Sequence, residues 1–339
     1  MKKICSIVFF ALCVLSAACG SNNSSESSLV RQKSNDSPRQ VSLLLNWFPE
    51  AEHGGFYAAK IHGYYKEVGL DVQIIAGGPG AAVVPRIATK KAAFGVTNAD
   101  RVLFGSAQKA GVVAVMAAMQ KSPRCIMVHE SSGIRSLKQI RNMTLAMSTK
   151  AAFSHFMRKK VRLRGVDIVP YPGNVKRFLM DENFAQQAYV ISEPYVAKTM
   201  GGDPVSLLVA DELDFNPYTS LVVTHEGTVA NAPQLVRDFV AASIKGWQHY
   251  LKDATETNQH IHSLNPGMEL AVLEFGAREI APLVLDGLEK SSEIGKMTEE
   301  RWLKLLGQLV ESGQIEKDAV DISSTFITSF LPNDKIQSK

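Results

Sequence analysis

An amide and an indole stand side by side at Asn46-Trp47, directly behind the apolar run Val41–Leu45. At the end of a buried strand, Trp47 offers a flat face to a planar heteroaromatic ring, and such stacking adds on the order of 1 kcal/mol beyond the buried area. Asn46 brings both a donor and an acceptor to the edge of that ring. A carboxylate stands at Glu193, between the apolar segment Ala188–Ser192 and Pro194, where it suits an amino-bearing ring or a cation. Tyr195 and Tyr218 are candidate aromatic walls. Asn98, Ser148 and Thr149 follow other apolar runs and supply short polar groups, while His53 and Tyr57 lie close behind Trp47. Each has a plainer reading: Trp47 tucked under the Gly54-Gly55 loop, Glu193 as a surface acid, His53 bonded to its own loop. His260-Ile-His262 falls in a polar helical stretch and predicts no metal site.

These groups need elements to hold them. Val41–Leu45 has the length of a buried strand, and Pro49 ends it. A helix pattern runs from Gly55 to Glu67, with Phe56, Ala59 and Tyr64 on one face; Gly69 stops it, and Asp71–Ile75 alternates like a second strand. This β-α-β unit puts Trp47 in a crevice where open parallel sheets bind ligands. Further strands are expected at Ala93–Thr97, Val112–Met119, Ile126–His129, Thr144–Met147, Val166–Pro170, Ala188–Ser192 and Val205–Ala210. Ala82–Thr89 and Phe178–Phe184 read as helices, and Asn98-Ala99-Asp100 as a strand end and helix cap. Ser148-Thr149 reads as the cap of a helix reaching Lys160, and Glu193-Pro194-Tyr195 as a loop. Gly77-Gly78-Pro79-Gly80 lacks a nucleotide-binding pattern and reads as a plain loop. Lys121–Arg124 and Asn216–Thr224 are the expected crossings between two lobes. From Pro233 the pattern is helical, with one stripe from Leu235 to Trp247 and another from Trp302 to Leu309. The expectation is α/β: lobe one from 41–122 and 225–339, lobe two from 123–224, and a cleft between them.

The run LNW...H..FYAAK..GYYKE.GLDV, from Leu45 to Val72, resembles the opening of the solute-binding proteins of bacterial ABC importers for thiamine precursors, sulfonates and related compounds. Their superfamily also contains the fungal enzyme that makes the thiamine pyrimidine. The resemblance implies a type II periplasmic binding protein, a small-molecule ligand and partnership with permease and ATPase subunits. It also implies an acidic residue at the place of Glu193 and a histidine at that of His53. The enzyme would need a lysine where this chain has Thr97, a histidine where it has Arg101, and cysteines near Phe215–Ser220. Without the amine there is no Schiff base. A receptor is therefore expected, without catalytic residues or cofactor. Its ligand ranks as a thiamine pyrimidine precursor, then riboflavin, then an alkanesulfonate such as taurine.

Composition agrees. Hydrophobic content of 45% and charge of 21% are those of an ordinary globular chain. Net charge is +4, two of it from Lys2 and Lys3, which is too little for nucleic acid. Lys2-Lys3, the apolar run Ile4–Leu15 and Ser16-Ala17-Ala18 read as an export signal, residues 1–18, rather than a spanning helix. Cys19 then stands as a lipidation site, though Ser16 occupies the place where the usual pattern has Leu. Residues 19–40 are Ser/Asn-rich and read as a flexible tether. Cys5 and Cys13 leave with the signal, so Cys125 alone remains in the body and no internal disulfide can form. A monomer tethered on the outer side of a membrane is expected. A Cys19→Ser chain should move from the membrane fraction to the soluble fraction; retention at the membrane would contradict the anchor.

Overall fold

A computed structural model describes residues 37–332. The expected signal peptide, Cys19 and the tether up to residue 36 lie outside the described residues. Ten strands form two five-stranded sheets. They are β1 (Arg39–Leu44), β2 (Leu70–Ile75), β3 (Phe94–Thr97), β4 (Val112–Met119), β5 (Arg124–His129), β6 (Thr144–Ala146), β7 (Asp167–Val169), β8 (Phe184–Tyr189), β9 (Pro204–Leu208) and β10 (Thr219–His225).

The first sheet has the order β2-β1-β3-β10-β4 and the second β7-β6-β8-β5-β9. In the first, β1 runs parallel to β2 and β3, while β10 runs antiparallel to β3 and β4. In the second, β6 is parallel to β7 and β8, and β5 is antiparallel to β8 and β9. This is the two-lobed α/β architecture of periplasmic binding proteins. Apolar side chains cover the strands: Leu43, Leu45, Phe94 and Val96 are wholly buried in the first lobe, Ile126, Leu145 and Ala185 in the second. Cys125 is buried as well, and burial pushes its thiol up to about 12, so it is an inert packing residue.

Several boundaries differ from the sequence reading. The helix expected over 55–67 is two, Gly54–Ile61 and Tyr64–Glu67, separated at Gly63 with φ of +79°. The helix expected over 178–184 ends at Met180, and β8 begins at Phe184. The helix after β6 starts at Ala152 with Ala151 in the cap position, which leaves Ser148 and Thr149 in the preceding loop. Glu193-Pro194-Tyr195 is not a loop but the first turn of the helix Glu193–Thr199, where proline at the helix start needs no N–H partner. The strand β10 pairs with β3 and β4, so Thr219–Thr224, expected in lobe two, lies in the first sheet.

The lobes are tied together in two places. At the crossings, the Ser122 N–H donates to Asn216 Oδ1 (2.8 Å), and Arg301 of the helix Glu299–Glu311 donates to the Asn216 carbonyl (2.9 Å) and to the Gln120 carbonyl. The same helix packs against Ala99–Ala107 of the first lobe and Ala152–Lys160 of the second, where Glu311 pairs with Lys160. Near the cleft, Ile191 from the second lobe is buried in the apolar cluster of the first. A Cβ on Gly276, in the helix Leu270–Val284, would lie 2.8 Å from the Ile191 carbonyl and 2.7 Å from the Ala51 Cβ; only glycine permits this approach. Arg301→Ala should lower stability by about 2–3 kcal/mol, since it strands carbonyls that accept from a charged donor. Urea unfolding measures this, and an unchanged midpoint would contradict the clamp.

Candidate functional site

A cavity of about 760 Å³ opens between the two sheets. The carboxyl ends of the parallel strands feed it: Asn46 and Trp47 after β1, Thr97 and Asn98 at the end of β3, Ser148 and Thr149 after β6, Tyr171 after β7, Tyr189 at the end of β8. Successive strands ending at one edge must present their next residues there, which is the crevice rule for open α/β sheets.

The floor is acidic. Glu52 is 1% exposed, and its Oε1 accepts from Asn46 Nδ2 (3.0 Å) and from the Ser220 hydroxyl (3.0 Å). Asn46 Oδ1 in turn accepts from His53 Nε2 at 2.9 Å. Burial lowers the His53 pKa, which keeps the ring neutral with its proton on Nε2. His53, wholly buried, therefore orients Asn46 rather than meeting a ligand. Glu50 lies beside Glu52. Burial first, then the like charges of Glu52 and Glu193, hold its carboxyl well above the usual range, while Arg124 opposes them. Glu193 faces this pair with both oxygens engaged. Oε1 accepts from the Tyr171 hydroxyl (2.6 Å); Oε2 accepts from the Tyr189 N–H (2.9 Å) and the Ser192 hydroxyl (2.6 Å). Arg124 closes the group, its guanidinium 4.2 Å from the Tyr189 ring centre and 5.1 Å from that of Phe153.

Asn98 lines the cavity and carries an unsatisfied group. It occupies the cap position of the helix Ala99–Ala107 without making a cap bond, and its buried side-chain oxygen has no hydrogen-bond partner. A buried acceptor left unpaired costs about 1–3 kcal/mol, so this oxygen would gain from a donor once a turn of the Asn98 side chain exposes it to the cleft. Trp47 is half-buried on the cavity wall, its ring edge-on to Phe48 at 5.5 Å. Gly77 lets the next loop close over it. A Cβ there would strike the Leu45 carbonyl at 2.2 Å, and the Gly77 N–H donates to the Trp47 carbonyl (2.9 Å).

Of the residues singled out in the sequence, Asn46, Trp47, Asn98, Ser148, Thr149 and Glu193 line the cavity; His53, Tyr57, Tyr195 and Tyr218 do not. Tyr57 is core, 2% exposed, with its ring tilted against His260. Tyr195 turns away on its helix and stacks on Phe275 at 4.6 Å, joining the lobes. Tyr218 lies under the Arg301 guanidinium at 3.9 Å, and its hydroxyl accepts from the Thr298 N–H. Glu50, Glu52, Arg124, Tyr171 and Tyr189 were missed, as were Gly78-Pro79-Gly80, read as a plain loop, and the start of the helix expected over 82–89. Tyr171 carried a usable signal, since it directly follows the strand expected over 166–170; Tyr189 did not, because the strand expected over 188–192 is observed over Phe184–Tyr189 and ends where it was expected to begin. Thr97 and Arg101, where the fungal enzyme would need its lysine and histidine, both line the cavity. Among the described residues, no group of His, Cys, Asp and Glu is placed to hold a metal ion, and no helix is long and apolar enough to cross a membrane.

A raised carboxyl stabilises the fold fully below the ordinary carboxylate range and loses that contribution as pH rises through its raised value. Glu50→Gln removes the effect while keeping the shape. The variant's Tm should therefore fall less between pH 5 and pH 8 than that of the parent, with Glu52, Glu193 and Arg124 unchanged around it. Equal falls by calorimetry would contradict the assignment.

Similarity to known proteins agrees with this geometry. The chain is 24% identical to a riboflavin-binding protein, RibY, of Chloroflexus aurantiacus over 307 residues, 87% of this chain and 86% of the relative. It is 19% identical to a formylaminopyrimidine-binding protein of Halalkalibacterium halodurans over 94% of this chain and 97% of the relative. Its fold matches the periplasmic aliphatic sulphonate-binding protein SsuA from Escherichia coli with a TM-score of 0.67, at 12% identity over 89% of this chain and 97% of the other. A model of the NMT1/THI5-like family matches residues 50–257, from the acidic floor through both crossings, and the chain belongs to that family.

Proposed function

We propose that this protein is the exported solute receptor of an ABC importer and that it captures a flat, nitrogen-bearing heteroaromatic, with riboflavin as the leading ligand. The observation that carries this reading is the pairing of the Trp47 face with the unpartnered Asn98 oxygen in one cavity. An indole grips a ring by stacking; the amide oxygen takes a ring N–H. The sequence alone ranked a pyrimidine precursor first. The size of the cavity supports the reverse order. At about 760 Å³ it lies in the upper part of the roughly 300–1,000 Å³ range of small-molecule pockets, and a single pyrimidine would leave much of it to water. The higher identity to the riboflavin-binding relative points the same way.

Formylaminopyrimidine is the second reading, supported by Glu193 and Asn98 as acceptors for an amino-bearing ring and by the other relative. Glu52 and Glu193 at the floor oppose a small sulfonate seated there. Capture follows from the two lobes. A ligand touching Trp47 and Asn98 on one side and Tyr171 and Tyr189 on the other contacts both only when the cleft is closed, so its binding favours the closed form. The Tyr195–Phe275 stack and the Ile191–Gly276 approach form the far seam of that closure.

Calorimetry with riboflavin, formylaminopyrimidine and taurine separates the readings. Riboflavin should bind most tightly, and binding of taurine alone would overturn the proposal. Trp47→Ala should weaken riboflavin by about tenfold, the loss of the stacking contribution; unchanged affinity would remove the indole from the site.

A further inference from the structure

The cavity does not end at the ring-sized space between Trp47 and Tyr189. It continues along one face of the helix Ala99–Ala107, where Arg101, Phe104, Gly105 and, just past the helix end, Gln108 all line it. Spacings of three, four and seven residues put these side chains on a single stripe. From Arg101 to Gln108 the stripe spans about 10 Å. Lys150, on the loop after β6, lines the same cavity from the second lobe, and Gly78-Pro79-Gly80 does so from the first.

The two ends differ in charge. Three carboxyl groups, Glu50, Glu52 and Glu193, gather at the floor with Arg124. The outer stretch carries the cations Arg101 and Lys150. Arg101 Nε lies 3.9 Å from Oδ2 of the buried Asp100, a long contact from one edge of the guanidinium. The Arg101 side chain is 49% exposed and Lys150 is exposed, so the Arg101 fork beyond its Asp100 contact and the Lys150 ammonium can both reach a ligand. An uncharged ring fits the floor. An anion there would meet the carboxylates of Glu52 and Glu193, the latter already engaged with Arg124, whereas on the outer stretch it would meet a guanidinium fork and an ammonium.

We infer that the ligand carries an extended, negatively charged arm lying along the Arg101–Gln108 stripe, with Arg101 and Lys150 closing on its terminal anionic group, so that a phosphomonoester of the flat ligand is preferred over the uncharged form. This rests on the flat-ring reading above. The same polarity sets orientation, ring inward and arm outward, because reversal would bury the anion among carboxylates.

Riboflavin and riboflavin 5′-phosphate share a ring and differ only at the end of the arm, so the pair isolates the inference. By calorimetry on the purified protein at low salt, the phosphate should bind about tenfold tighter than riboflavin, the worth of one charge-assisted hydrogen bond. The advantage should shrink as salt screens it. In the double variant Arg101→Gln/Lys150→Gln the ratio of the two affinities should fall to within about twofold, as expected once both cations that carry the difference are gone. Equal or weaker binding of the phosphate to the parent would overturn the inference and leave the flat-ring reading in place. An advantage that survives in the double variant would overturn the assignment to these two residues. Failure of both flavins to bind would overturn the flavin reading and the inference with it.

Discussion

The buried carboxylate of Glu52 is the anchor of the cleft. It accepts from Asn46, which turns that side chain toward the cavity, and from Ser220 on β10, the strand that returns from the second lobe. One acid thus joins the loop after β1, the neutral His53 behind it and the chain's second crossing. A charge so enclosed is tolerable only because donors meet it, and removing either donor would leave an uncompensated buried group. The position of Trp47 follows, since Asn46 precedes it and the Gly77 N–H holds its carbonyl.

A second set of contacts joins the lobes outside the cavity. Arg301 spans both crossing segments, while Tyr195 and Ile191 seat the second lobe against the helix Leu270–Val284. These fix two sites at which the lobes meet and leave the cavity between them as the free volume. Binding energy from a ligand then acts on a joint already confined to one path, as in hinge closure generally. The acidic floor and cationic outer stretch are arranged along that volume, so the charge pattern and the direction of entry are linked.

Much of the fold was legible because apolar runs report burial directly. Val41–Leu45, Val112–Met119 and Ile126–His129 lie on or close to strands of the sheets. Asn46, Trp47 and Asn98 were legible for the same reason, as polar or aromatic residues placed just where such runs end. What was not legible depends on partners distant in the chain. Tyr195 reads like a cleft residue until Pro194 is seen to open a helix that carries it to Phe275; Tyr218 reads like one until Arg301, far along the chain, covers its ring. His53 read equally as a ligand contact or as bonded to its own loop, and it holds Asn46 in that loop. Glu50 and Glu52 sit between Trp47 and the first helix, Gly54–Ile61. Their pairing with Ser220 and Arg124 comes from the crossings, which periodicity cannot supply.

The most direct test of the central claim is a crystal structure of the protein with riboflavin bound. The account predicts the ring system over the Trp47 indole, a ring N–H donating to Asn98 Oδ1, and the ribityl arm directed along Arg101 toward Gln108. A ligand seated elsewhere, or a cleft closed around it with Trp47 and Asn98 out of contact, would contradict the account.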